Sequence, residues 1–329
     1  MRVIVVGAGL AGLSATESLA AAGVDVILLE AGHRFGGRTR TVSDGYINGQ
    51  YAESGAEWVD SIHWRMRDLM QRFGIKPLGQ PMPWTTIRRW LYWDQAFYTA
   101  ENIAALSPGV FRAIEKYEAL ADSPASGVQD PSRPDLHPEA AYLDAISVAD
   151  LITQSGLDPV GQLFARRGSQ GEFASDPENV SSLFVAQQRA FANSEVAKQG
   201  IELLSQRVAG GTGQIAISLG KQLQDSPRIT INFGTRLVAV EQDDSGVVVT
   251  ADGPDGREIW QADALVLACS LVPLREVDFR TPMPSDFHQA FHNLGYGPIT
   301  KTAVQFETRS WESGYGTTDS ISQRLYDPS

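Results

Sequence analysis

One cysteine, Cys269, among 329 residues excludes an internal disulfide and any zinc site built on cysteine thiolates. No run reaches the ~18 consecutive apolar residues that a membrane-spanning helix needs, so no membrane association is expected. Basic residues are in deficit, 27 Lys+Arg against 39 Asp+Glu, for a net charge of −12. Such a surface repels phosphate backbones, and no nucleic-acid partner is expected. The five histidines are read as offering neither HxxxH nor HExxH spacing, and no metal site is expected. Internal repeats and low-complexity tracts are missing. Residues 1–6 lack the apolar stretch of a signal peptide, which leaves a cytoplasmic location as the expectation.

What is present is the composition of a globular protein, 43% hydrophobic and 20% charged. The length exceeds one ordinary core, so two domains, or two interleaved ones, are expected. Residues 3–6 read as a buried strand, 10–22 as a helix and 24–30 as a second strand, together a β-α-β unit. A helix is expected over 61–73, a hairpin over 87–98, a loop over 121–138 and helices from 138 to about 207. Strands return at 229–233, 236–242, 247–251, 258–261 and 264–269. This order suggests one domain interrupted by another.

Gly7-Ala8-Gly9-Leu10-Ala11-Gly12 is a G-x-G-x-x-G turn between the first strand and the first helix. Its glycines suit a tight turn, close approach of backbone to a pyrophosphate, and close helix–strand packing. The helix start adds free N–H groups and the positive end of a dipole. Glu30, eighteen residues after Gly12, closes the next strand where an acid bonds ribose hydroxyls. These features together predict dinucleotide binding through Gly7, Gly9, Leu10, Ala11, Gly12, Glu30 and Ala31. The loop Gly36-Gly37-Arg38-Thr39 follows, with glycines that curl backbone against phosphate and an arginine that donates to anions.

From Glu30-Ala31 through Arg38-Thr39 the chain resembles the flavin amine oxidase family, which includes monoamine, polyamine and L-amino-acid oxidases. Position 32 is Gly32 where monoamine oxidases carry arginine. Five later segments extend the resemblance. Glu53–Val59 is similar to the family segment along the isoalloxazine ring, and Arg207–Ile215 to the one that re-enters the cofactor domain. Thr235–Gln242, with Leu237, resembles the strand beside adenine, and Ala262–Ala268 the strand leading back to the flavin. Leu294-Gly295-Tyr296-Gly297-Pro298-Ile299-Thr300-Lys301, with Phe306 and Trp311, resembles the family's lysine-bearing run.

The resemblance implies an α/β fold. A Rossmann-type FAD-binding domain (1–80 and 200–280) is interleaved with an α+β substrate domain (81–199 and 281–329). FAD is the implied cofactor, contacted also by Gly37, Arg38, Gly55, Ala56, Glu57, Trp58, Leu237 and Ala268. Lys301 is the implied catalytic residue, holding a water near the flavin. The implied activity is oxidation of an amine C–N bond, with electrons passing to O2 or another acceptor. L-amino-acid oxidation, C–C desaturation and a non-catalytic FAD-binding role stay open as alternatives. Asp60 and Glu57 are candidates for attracting a cationic amine, or are solvated acids. Trp311 is a substrate-side candidate. Trp84, Trp90, Tyr92 and Trp93 are entrance candidates, or packing.

An acidic Glu57 and the lack of arginine in Gly55–Trp58 favour an amine over a carboxylate-bearing substrate. Members of the family extend well past the point equivalent to Ser329, so the resemblance also implies a second polypeptide completing the fold.

Overall fold

The computed structural model describes residues 1–82, 88–93, 96–98, 102, 104–105, 107–307 and 321–324. Strand β1 (Arg2–Val6) has Val3, Ile4, Val5 and Val6 all buried, as a continuous apolar run is at the centre of a parallel sheet. It pairs in parallel with β2 (Asp25–Glu30) on one side and with strand Ala264–Leu267 on the other. Strand Ile229–Phe233 pairs in parallel beyond β2. Helix α1 (Leu10–Ala21) makes the crossover between β1 and β2. A sheet begun by the first thirty residues is therefore completed by strands some 200 residues later.

Each face of that sheet is covered. On one, Val3, Val5, Val26 and Leu28 pack against Leu13 of α1 and against Ala216 and Leu219 of helix Gly213–Gln224. On the other, Ile4 and Leu29 meet Leu237, Val240, Val249 and Ala251. These last belong to a meander of Arg236–Asp243, Gly246–Gly253 and Gly256–Ala262, joined in antiparallel register. The result is a three-layer stack of helices, parallel sheet and meander.

Helices between residues 110 and 199 form a separate core around Tyr117, Leu151, Ile152, Ala165 and Val185. Their starts follow local capping chemistry. Ser147 and Asp150 form a reciprocal capping box. Asp158 accepts from Gly161 N–H with Pro159 at the first helical position. Ser181 accepts from Phe184 N–H.

Several expected boundaries move. The helix expected from Ser61 begins at Trp64, because Ser61 is held by Glu202 and Leu204 through three hydrogen bonds of 2.6–3.1 Å. The expected loop 121–138 opens inside helix Val110–Asp122 and contains two short 3₁₀ turns. The helical stretch expected to reach Arg207 stops at Gln199, where Gly200 takes a left-handed φ of 61°. Arg207 lies instead in strand Ser205–Val208, paired with Val59–Asp60 and Pro77–Met82. Strands Arg88–Trp93 and Ala96–Tyr98 pair as the expected hairpin. Its turn residues and Trp84 lie outside the described residues, as do the side chains of Trp90, Tyr92 and Trp93. No described helix is long and apolar enough to cross a membrane.

Candidate cofactor and active site

Two glycine loops meet at the C-terminal edge of the parallel sheet. Gly7, with φ of 104°, leaves a Cβ-sized space only 3.1 Å from the Ala268 carbonyl. A Cβ on Gly12 would fall 1.8 Å from the Gly7 carbonyl oxygen, so α1 packs onto the loop as only glycine allows. Across from them Gly36 N–H donates to the Ala8 carbonyl at 2.8 Å, and a Cβ on Gly37 would sit 3.3 Å from Gly9 Cα. The Arg34 guanidinium stitches the second loop from within, donating to the carbonyls of Gly37 (2.6 Å), Phe35 (3.2 Å) and Thr39 (3.4 Å). Burial, then Arg40, draws Arg34 below its ordinary basicity, partly offset by Glu30.

Glu30 is pinned at the cavity floor. Its two oxygens accept from Ala8 N–H and Gly32 N–H, each at 2.7 Å. A cavity of about 470 Å³ opens above. Gly7, Gly9, Leu10, Ala11, Glu30 and Ala31 line one side of it. Gly37, Arg38, Leu237 and Ala268 close the other. Gly12 lies behind this wall. Cys269 lines it beside Ala268, half-buried, and burial pushes its thiol up.

A second cavity of about 570 Å³ shares Leu10 and Thr39 with the first and continues past Ala56, Trp58 and Thr212. Phe191 and Glu195 face it from helix Ser182–Gln199. Lys198 and then Gln199 hold the Glu195 carboxyl below its usual range by donating to it. The segment Gly55–Trp58 is pressed onto the glycine–arginine loop, since Ala56 N–H donates to the Arg38 carbonyl at 2.9 Å. A Cβ on Gly55 would lie 2.0 Å from that carbonyl oxygen. Thr212 locks the late segment to the early one, its N–H donating to Glu53 and its hydroxyl to the Ala56 carbonyl, both at 2.6 Å.

Lys301 reaches this segment from far along the chain. Its ammonium donates to the Gly55 carbonyl at 2.9 Å and to Glu57 at 3.2 Å. Residues 300–306 form no ladder among the described residues. The other oxygen of Glu57 is paired with Arg207, whose guanidinium stands 5.1 Å from the Trp58 ring centroid.

This corrects the reading of Glu57 as an acid awaiting a cationic substrate. Two cations share it, and the trio carries a net charge of +1 (two cations, one anion). Glu57 therefore gives no argument against a carboxylate. Asp60 lines neither cavity. It accepts from the Ser205 hydroxyl and stands 3.8 Å from His63. Trp311 lies outside the described residues.

Arg34, Arg207, Thr39 and Thr212 are the site residues that sequence reasoning passed over. All four sat in quoted motifs, Arg207 and Thr212 within Arg207–Ile215. The partners of Arg207 and Thr212 are about 150 residues away and left no local signal. His288 and His292 stand four apart on helix Ser285–Asn293, their rings 4.5 Å apart, a spacing missed in the sequence. Among the described residues no third ligand joins them.

The residues present fit a dinucleotide. Glycine backbones approach to leave an open slot, α1 points its N-terminus into it, and a carboxylate fixed by two amides waits at the strand end.

The sequence profile described as flavin containing amine oxidoreductase matches residues 10–327. The L-amino-acid oxidase of Vipera ammodytes ammodytes is 25% identical over 99% of this chain and 67% of its own length. The putrescine oxidase of Kocuria rosea is 25% identical over 99% of this chain and 69% of its own. Among solved structures, putrescine oxidase bound to putrescine superposes with a TM-score of 0.70 at 23% identity. That match covers 88% of this chain and 63% of the other. Cyclohexylamine oxidase from Brevibacterium oxydans IH-35A gives a TM-score of 0.71 at 22% identity, over 88% and 62%. The chain thus spans roughly two thirds of the length of the proteins it matches.

Proposed function

Because this chain belongs to the flavin-containing amine oxidoreductase family, we propose that it holds FAD along the two joined cavities and oxidises an amine C–N bond. The imine so formed is hydrolysed by water to a carbonyl compound plus ammonia or a smaller amine. When bound, FAD supplies the two-electron acceptor, which passes electrons on to O2 or another acceptor.

The chain's own residues bind and orient. Gly7, Gly9 and Gly37 admit the pyrophosphate to backbone N–H groups, Glu30 takes the ribose hydroxyls, and Leu237 lies at the adenine end. Gly55, Ala56, Glu57 and Trp58 border the ring end. There Lys301 offers an ammonium N–H to a water, and the apolar wall of Phe191 and Ile62 limits solvent.

The observation that carries this reading is the Lys301–Gly55 hydrogen bond, which brings the lysine of the last segment next to Ala56, a residue lining the second cavity. Anaerobic mixing with panels of amines, amino acids and non-amines tests it. Bleaching of flavin absorbance by an amine supports it, and bleaching only by non-amines overturns it. In Lys301→Met, FAD should stay bound while turnover or reoxidation slows by about tenfold or more, the scale of a positioned proton-handling group. An amino-acid substrate is the second reading, favoured by the +1 charge of the Arg207–Glu57–Lys301 trio.

The same proposal divides the chain into a cofactor domain (1–80 and 200–280) and a substrate domain (81–199 and 281–329). Continuity of β1 with strand Ala264–Leu267 supports the first half of that division. A second polypeptide packed on residues 285–306 belongs to it too. Phe287, Leu294, Ile299 and Val304, between 54% and 70% exposed, give that partner apolar surface to cover. A cytoplasmic setting fits the single cysteine.

A further inference from the structure

We propose that Glu57 is a positioning residue that sets Lys301 on the Gly55 carbonyl, with Arg207 anchoring the other carboxylate oxygen. This rests on the reading of Lys301 as the group beside the flavin.

The Lys301 segment is tied down four residues on, where Gln305 accepts from Ile47 N–H and donates to the Ile47 carbonyl and Gln50, but the Lys301 ammonium itself rests on Gly55 and Glu57. Its segment has no ladder hydrogen bonds among the described residues, and its neighbours Ile299 and Val304 are exposed. A lysine side chain is long and flexible, and one carbonyl acceptor defines its direction poorly. The Glu57 carboxylate adds a charge-assisted bond, and the two acceptors together fix where the ammonium points. Glu57 is fixed in turn. Its second oxygen is taken by Arg207, which is carried on strand Ser205–Val208 and lies against Trp58.

Order therefore passes from a sheet strand through Arg207 and Glu57 to a lysine on an irregular segment. Charge gives the same result. With Glu57 neutral, two cations would face one another across its side chain, and repulsion would drive Lys301, on the irregular segment, outward.

Reductive methylation of the native protein by formaldehyde and borane, read peptide by peptide by mass spectrometry, tests this directly. Lys221, exposed on helix Gly213–Gln224, is the internal control. Glu57→Gln should speed labelling of Lys301 by about tenfold, the loss expected for one charge-assisted bond, with Lys221 unchanged. Glu57→Asp, one methylene shorter, should give an intermediate rate, and it serves as the test should Glu57→Gln fail to fold. Arg207→Met frees the second carboxylate oxygen but keeps the Glu57–Lys301 pair, so Lys301 labelling should rise less than in Glu57→Gln, with Lys221 again unchanged; a rise equal at both lysines would mean general loosening and would overturn the proposal. Equal Lys301 labelling in wild type and both Glu57 variants overturns the proposal. Labelling does not depend on turnover. If labelling behaves as stated but no amine bleaches the flavin, the functional reading fails and the positioning role stands.

Discussion

Glu30 sits where three demands converge: it ends β2, accepts the Ala8 and Gly32 N–H groups at 2.7 Å, and lines the cofactor cavity. Glu30→Ala removes ribose acceptors and orphans two loop donors. At about 1.5–3 kcal/mol for a hydrogen bond to a charged group, FAD affinity should fall roughly tenfold to 10²-fold. Titration of apoprotein with FAD, followed by flavin fluorescence, measures this; affinity within twofold of wild type would deny Glu30 that role. At this scale the sequence was readable wherever spacing carries the chemistry. Gly7, Gly9, Gly12 and Glu30 announce themselves because turn, approach, packing and acid recur at set intervals. Arg34 sat in plain view in a motif, yet its task of tying three carbonyls is invisible without the loop's curl. The charge on Glu57 was misjudged because its partners, Arg207 and Lys301, come from other segments.

Among elements, the run Leu294–Lys301 depends on one close approach. A Cβ on Gly297 would lie 1.7 Å from the Ala174 carbonyl oxygen, where helix Pro159–Phe173 ends in a left-handed residue. Gly297→Ala must push the run off that helix end, at a cost of about 1–3 kcal/mol by analogy with overpacking. Urea unfolding should show that loss, and Lys301 should become faster to methylate. An unchanged midpoint would mean the run is free to shift.

Tyr117, 7% exposed in the helical core, offers a pH test. Burial is the largest of the effects that push its phenol up to about 12, from an ordinary value near 10. The folded state thus holds a proton that the unfolded chain releases. Its contribution is fully present below pH 10 and is lost as pH rises through 12, about 2–3 kcal/mol in all. Urea midpoints measured up to pH 11.5 should fall more steeply in wild type than in Tyr117→Phe. Parallel slopes would contradict it. Strands such as Ile229–Phe233 were legible because apolar runs between turn residues leave few alternatives. Helix Ser285–Asn293 was not picked out although Phe287, Ala290, Phe291 and Leu294 stand at helical spacing, because that stripe is short and the helix is nearly all exposed.

Over the whole molecule, the parallel sheet joins residues 2–6 to residues 264–267 and encloses the cavity where both ends meet. The interrupted order of predicted elements carried that much. What it could not carry was the docking of segment on segment: Thr212 on Glu53 and Ala56, Lys301 on Gly55, and the sharing of Leu10 and Thr39 by two cavities. Such contacts depend on the finished sheet and leave no periodicity to read. The central claim is that this joined space holds FAD. Purified protein, denatured and filtered, should release a yellow cofactor with the absorbance and mass of FAD in near one-to-one ratio with chain. Release of tightly bound NAD with no flavin would contradict it.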